Sequence, residues 1–307
     1  MTDGTAITVD GLTKRYGAQA AVDDLSFEVR SGAVTGFLGP NGAGKTTTLR
    51  MVLGLARPSA GHALIFGEPY EALADPAHTV GASLEVSGFH PGRSGRDHLR
   101  ALAAMAKLPR GRVEEVLDIV ELRDAAGRRA GKYSMGMRQR LALAATLLGD
   151  PQVLVLDEPA NGLDPQGIRW LRDFLRAKAA EGRTVLVSSH VLSEVAQTVD
   201  DVVVISRGRL SYQGSIADFT RRAGGDLTRV RAADVGRLRP ALEAAGATLR
   251  EGGGDDALLV AELEAPAIGE IALREGVALR ELTAHGASLE DVFLELTADP
   301  AETAVRS

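Results

Sequence analysis

Residues 33–56 read AVTGFLGPNGAGKTTTLRMVLGLA: an apolar run, a glycine-rich turn closing on Lys45 and Thr46, then a helix-forming stretch. No other segment restricts the fold as tightly. Gly39 to Thr46 fits G-x-x-x-x-G-K-T, and its place between a buried-strand pattern and a helix is the context in which such a turn wraps phosphate oxygens. Glycines let successive backbone N–H groups turn inward, and the N-terminus of the following helix adds its positive end. Lys45 supplies a mobile cation for outer phosphates, and the Thr46 hydroxyl is placed to hold Mg²⁺.

A second stretch, VLVLDEP (153–159), reads as a buried strand ending in two acids. A carboxylate at the end of a parallel strand sits where ligands gather in such sheets. Asp157 is expected to hold Mg²⁺, directly or through water. Glu158 is expected to face the other way and to orient or deprotonate an attacking water. IRWLRDFLRAKAAEG (168–182) follows as a helix closed by Gly182, then RTVLVSSH (183–190) as another apolar strand. Such alternation predicts a mainly parallel sheet covered by helices on both faces. Ile7–Val9 and Leu25–Arg30 read as short strands, whereas about 97–149 reads as helices, with Val113, Val116, Leu117 and Val120 on one face.

A boundary is expected near 215–225, where GSIADFTRRAGGD carries adjacent glycines. Beyond it the order is strand (LTRVRA), helix (VGRLRPALEAAG), two strands (ATLRE, ALLVAELEA), helix (PAIGEIALREG), strand (VALRELTA) and a final helix (SLEDVFLELT). That βαββαβ order predicts a small α+β ferredoxin-like domain with one added helix, Ser288 and Asp291 forming a capping box.

Composition narrows the function classes. A net charge of -6 does not favour nucleic acid. Without cysteine there are no disulfides or thiolate metal sites. The opening MTDGTAITVDG is no secretory leader, and no apolar run nears the roughly 20 residues needed to span a bilayer. Any membrane role is therefore expected to pass through a partner.

Over roughly residues 5–215 the chain resembles the ATP-binding-cassette family of ATPase subunits. Besides the two phosphate motifs, it has Tyr16 before Gly17, where the family stacks an aromatic on adenine. It has YSMGMRQRL (133–141) at the family's signature loop, NGLD (161–164) after the acidic strand, and His190 ending an apolar strand. The resemblance implies a P-loop NTPase cassette over 1–218, with a mostly parallel sheet, an antiparallel β subdomain and a helical subdomain at about 85–149. An accessory domain fills 219–307.

It further implies ATP and Mg²⁺ as ligands. Gly39, Pro40, Asn41, Gly42, Ala43, Gly44, Lys45, Thr46 and Thr47 would hold the phosphates, with Lys45, Glu158 and His190 as catalytic residues. Thr46 and Asp157 would bind metal. Two copies would pair as a homodimer with two composite ATP sites, each closed by Ser134 and Gly136 of the opposite chain, with Asp164 also a nucleotide-binding residue. Arg138 and Arg140 are read as stabilising the helix surface rather than touching nucleotide.

Tyr133, Met135 and Met137 depart from the usual signature LSGGQ, and a methionine cannot make glutamine's hydrogen bonds. In VGASLEVSGFHP (80–91), Glu85 stands where the family carries a metal-contacting glutamine. These variants, with the tail SLEDVFLELT, resemble the subgroup that powers drug, antibiotic and lipid exporters. The expected function is ATP hydrolysis driving export through a separately encoded membrane permease. The subunit would be cytoplasmic, peripheral on the inner face of the cell membrane, with HPGRSGRDHLR (90–100) as a candidate permease contact. The alternatives are a soluble cassette ATPase of DNA repair or translation, and a nucleotide-binding regulator that no longer hydrolyses.

Overall fold

Continuous β-branched and leucine runs such as VLVL and TVLVSS can be satisfied only by strands buried on both faces, and six strands form that sheet in the computed structural model. It describes residues 4–84, 88–223, 227–252, 256–284 and 289–297. The chain divides into two units, with the division between Ile216 and Ala217.

The first unit opens with β1 (Thr5–Tyr16) and β2 (Gln19–Arg30), followed by β3 (Val34–Leu38), α1 (Lys45–Val52) and β4 (Ala60–Ile65). Next come α2 (Pro76–Thr79), β5 (Val80–Ser83) and three helices, α3 (Gly95–Met105), α4 (Arg112–Ile119) and α5 (Met135–Thr146). The α/β alternation resumes with β6 (Val153–Leu156), α6 (Pro165–Ala180), β7 (Thr184–Ser189), α7 (Leu192–Ala196), β8 (Asp201–Ser206) and β9 (Arg209–Ser215).

The main sheet runs β5-β6-β7-β3-β8-β9, parallel except for the hairpin partner β9. A separate antiparallel sheet runs β2-β1-β4. Phe27 of the antiparallel sheet stacks on Phe37 of the main one, centroids 5.2 Å apart, within one apolar core.

β1 and β2 are twelve residues each, far longer than the segments their alternation suggests. Bulges between Val9 and Leu12 and between Leu12 and Lys14 break the two-residue period, with Gly11 on left-handed backbone at φ 57°.

In the helical segment, Val113, Val116, Leu117 and Val120 are buried as their spacing predicts. Arg96 of α3 grips Glu114 of α4 with two bonds of 2.8 and 3.1 Å. Arg112 donates to the Leu147 and Leu148 carbonyls just past α5, placing a cation at the negative helix end. Ser94 and Ser134 cap α3 and α5 by accepting the Asp97 and Met137 amides.

The second unit contains α8 (Ile216–Ala223), β10 (Thr228–Ala232), α9 (Val235–Ala244), β11 (Thr248–Glu251), β12 (Ala257–Ala261), α10 (Ala265–Arg274), β13 (Leu279–Ala284) and α11 (Leu289–Thr297). Its sheet is antiparallel with order β11-β12-β10-β13, the ferredoxin-like arrangement. Val230, Leu258 and Val260 meet Leu238, Leu242, Ile268 and Ile271 in its core. The segment IADFTRRA, within the span where a boundary is expected, folds as helix α8. Ser288 of the capping box expected for α11 lies outside the described residues.

Candidate functional site

β3, β7 and β6 lie side by side and parallel, with their carboxyl ends level: Leu38 pairs with Ser189, and Leu156 with Val187. Three chain segments therefore emerge together: the glycine loop after Leu38, Asp157-Glu158 after Leu156, and His190 after Ser189.

The loop holds its shape through the glycines. Gly42 and Gly44 take φ of 82° and 103°, which side-chain-bearing residues rarely adopt. A Cβ on Gly39 would come within 2.5 Å of the Ile205 carbonyl, and one on Gly44 within 2.5 Å of the Ala21 carbonyl. The loop is thereby wedged between β8 and the β1–β2 hairpin. That hairpin carries Tyr16, 58% exposed, with the Lys14 ammonium 5.3 Å from its ring centre.

Lys45 is only 6% exposed. Its Nζ lies 2.6 Å from the Gly39 carbonyl, 3.3 Å from the Pro40 carbonyl and 3.2 Å from Glu158 Oε1. The other carboxylate oxygen of Glu158 is 2.7 Å from His190 Nδ1. Thr46 donates to Asp157 Oδ2 at 2.7 Å, and Ser188 donates to Asp157 Oδ1. The Ser188 oxygen also accepts the Glu158 amide at 2.9 Å.

One expectation is corrected here. Glu158 does not face away from Asp157: both carboxylates reach the loop, one at Lys45 and one at Thr46. β6 ends at Leu156, and Glu158 sits on left-handed backbone at φ 49°, so strand alternation no longer governs its direction. Ser188, which fixes the acidic pair, was missed in the sequence. A hydroxyl on a buried strand is uninformative until β7 is known to lie beside β6.

Ser134 and Asp164 stand apart from this cluster. Ser134 is exposed and its hydroxyl accepts the Met137 amide at 3.3 Å, while Asp164 caps α6 by accepting the Gly167 amide at 2.7 Å. Gly136 lies in the first turn of α5 against Leu163 of the NGLD loop.

Arg138 and Arg140 turn to protein. Arg138 donates to the Gly131 carbonyl at 3.3 Å; Arg140 donates to the Val120 carbonyl at 3.1 Å and lies 4.1 Å from the Trp170 ring centre. Tyr133 fills the place before Ser134 as a buried phenol donating to the Ala125 carbonyl at 2.8 Å, and burial pushes its ionisation upward. Glu85 lies outside the described residues.

Among the described residues, no three His, Asp or Glu side chains gather as a metal cage. A divalent cation here would rely on the hard oxygens of Thr46 and Asp157 together with phosphate oxygens, the donor set that suits Mg²⁺. The arrangement fits a triphosphate: a glycine loop with left-handed Gly42 and Gly44, a buried ammonium, and a carboxylate held by an imidazole.

Comparison with known proteins agrees. The family profile described as ABC transporter matches residues 22–161, and a profile described as a domain of unknown function matches 226–290. An uncharacterized ABC transporter ATP-binding protein of Bacillus subtilis is 37% identical over 97% of this chain and 98% of its own length. A bacitracin transport ATP-binding protein of Bacillus licheniformis is 44% identical over 67% of this chain and 68% of its own. A daunorubicin resistance ATP-binding protein of Streptomyces coeruleorubidus is 36% identical over 96% of each. A solved ATP-binding subunit of an ABC transporter superposes with a TM-score of 0.64 at 27% identity, over 71% of this chain and 93% of that one. With this cassette geometry and near-full-length relatives, the chain belongs to the ABC transporter family as one of its ATP-binding subunits, an ATPase cassette.

Proposed function

We propose that two copies of this chain close around two ATP·Mg²⁺ and that the cycle of closure, hydrolysis and opening powers export of a drug-, antibiotic- or lipid-like substrate through a separate membrane permease. The observation that carries this reading is the split of the site. Lys45, Thr46, Asp157, Glu158 and His190 form one bonded cluster, while Ser134 faces solvent at a helix N-terminus outside it. A triphosphate on the loop would be gripped from one side only, and a second copy would offer Ser134, Gly136 and Asp164 to the other.

In the closed dimer Lys45 exchanges Glu158 for phosphate oxygens, which frees the carboxylate. Glu158, aligned by His190, takes a proton from the water that attacks the γ-phosphorus as the bond to the β-bridging oxygen breaks. Thr46 and Asp157 would hold Mg²⁺, which would supply neutralisation of the charge building on the phosphates. Gly39–Thr47 position the phosphates and Tyr16 stacks on the base. Released phosphate removes the glue and the copies part.

The export reading is supported by the relatives matched above, whose printed names concern bacitracin transport and daunorubicin resistance. No described helix is long and apolar enough to cross a membrane, so translocation falls to a permease that holds the subunit at the inner membrane face. A role in DNA repair or translation has no support among these relatives.

The test is complementation in mixture. Ser134→Arg should bind ATP as a monomer yet turn over poorly, and Lys45→Ala should fail at binding. Mixed in equal amounts and pairing at random, they should regain one competent composite site per heterodimer, about a quarter of wild-type turnover. Full activity of either variant alone, or no recovery on mixing, rejects the two-chain site.

A further inference from the structure

Gln139 is the fifth residue of α5 and only 3% exposed, one turn beyond the Ser134 and Gly136 assigned to nucleotide. Its Nε2 donates to the Asn161 carbonyl at 3.1 Å. The amide of Asn161 in turn donates to the Glu158 carbonyl at 3.2 Å, and Leu163 closes the same turn on Ala160 at 3.1 Å. One residue, Asn161, thus carries a bond from its amide to Glu158 and a bond at its carbonyl to the helix that begins after Ser134.

Packing reinforces the link. Gly162 is left-handed at φ 74°, and a Cβ there would come within 2.9 Å of Met135 Cγ. Leu163 Cδ2 lies 3.7 Å from where a Cβ on Gly136 would be. The first turn of α5 and residues 158–163 therefore move as one piece, and the buried amide of Gln139 is its polar fastening. Without the Asn161 carbonyl, the Nε2 of the buried Gln139 would lose its acceptor, and a buried donor left unpaired is costly.

We propose that Gln139 is a positioning residue that couples the two ATP sites of the dimer. This rests on the two-chain reading above. In that reading Glu158 serves the nucleotide on its own loop, while Ser134 of the same chain serves the partner's nucleotide. Gln139 ties the loop of the first to the helix of the second, so rearrangement of Glu158 at one site shifts Ser134 at the other. Both sites then respond to ATP together, as a linkage between distinct binding sites.

The experiment uses full-length protein carrying Gln139→Met, of similar length without donor or charge, and Gln139→Glu, which keeps shape but loses the donor. Hydrolysis is followed against ATP concentration, and emission of Trp170, the sole tryptophan, is read alongside. Trp170 stacks on Phe174 at 5.4 Å and lies under Arg140 of α5, so it reports movement of that helix.

Wild type should hydrolyse ATP with a Hill coefficient approaching about two, falling toward about one in both variants. Their kcat should drop roughly three- to thirty-fold while monomer affinity for ATP stays within about two-fold. The ATP-induced change in Trp170 emission should shrink. A melting curve confirms folding, and a variant that fails to fold is set aside for the other. Retained cooperativity with an unchanged Trp170 response overturns the coupling while leaving the two-chain site intact. Wild-type hydrolysis independent of protein concentration and without cooperativity removes both.

Discussion

Around the phosphate loop the charged groups meet counterparts within the chain: Lys45 with Glu158, Glu158 with His190, Asp157 with two hydroxyls. Around Ser134 the chain does the reverse. The first turn of α5 holds no acid, Met135 is half exposed, and the serine's described bonds stay within its own helix. The phosphate side is a set of internal contacts that nucleotide must displace, whereas the signature side awaits its contacts from outside. Binding is therefore expected of a single chain, and turnover of two.

The largest way to break the contrast is Glu158→Gln. It keeps the shape and the loop but removes the proton acceptor, so turnover should fall by about 10²–10⁴ while ATP binding persists and a nucleotide-locked dimer accumulates on size exclusion. Normal turnover would show that Glu158 is not the base. Lys45→Ala attacks the same side through binding. Removing a buried cation aimed at phosphates should weaken ATP affinity by roughly 30-fold or more in calorimetry, and unchanged affinity would dismiss the loop assignment.

The signature side yields to smaller perturbations. Gly162→Ala forces a side chain onto left-handed backbone and into Met135. It should cost about 1–2 kcal/mol in urea unfolding with monomer nucleotide affinity unchanged. A loss of binding instead would erase the distinction between the two sides.

The gentlest probe is pH. His98 on α3 is 8% exposed, its Nδ1 has no hydrogen-bond partner, and burial with the nearby Arg93 cation holds its pKa below the ordinary 6.5. The folded state thus resists a proton that the unfolded chain accepts. His98 contributes stability above pH about 6.5 that is lost as pH falls below it. Melting curves between about pH 7.5 and 5.5 should steepen for wild type relative to His98→Leu, and parallel curves would count against this account.

Legibility in the sequence follows the range of the physics. The loop and the buried parallel strands were readable because their cause lies within a few residues. GPNGAGKT needs its glycines for its own backbone, and VLVL needs burial on both faces. The ferredoxin-like unit was readable from element order because short connections leave few topologies. What failed depends on neighbours remote in sequence. Ser188 acquires meaning only beside β6, Gln139 only beside Asn161, and the long β1 and β2 only once bulges absorb their broken alternation. The direction of Glu158 turned on one dihedral that no periodicity encodes.

That dihedral has a further consequence. A glutamate at φ 49° holds a conformation that costs about 1–3 kcal/mol and that glycine would occupy freely. With Glu158 as the proposed base, thermostability and catalysis therefore pull against each other at position 158. Screening random variants for heat resistance alone would tend to discard the carboxylate, hardening the scaffold while extinguishing its chemistry.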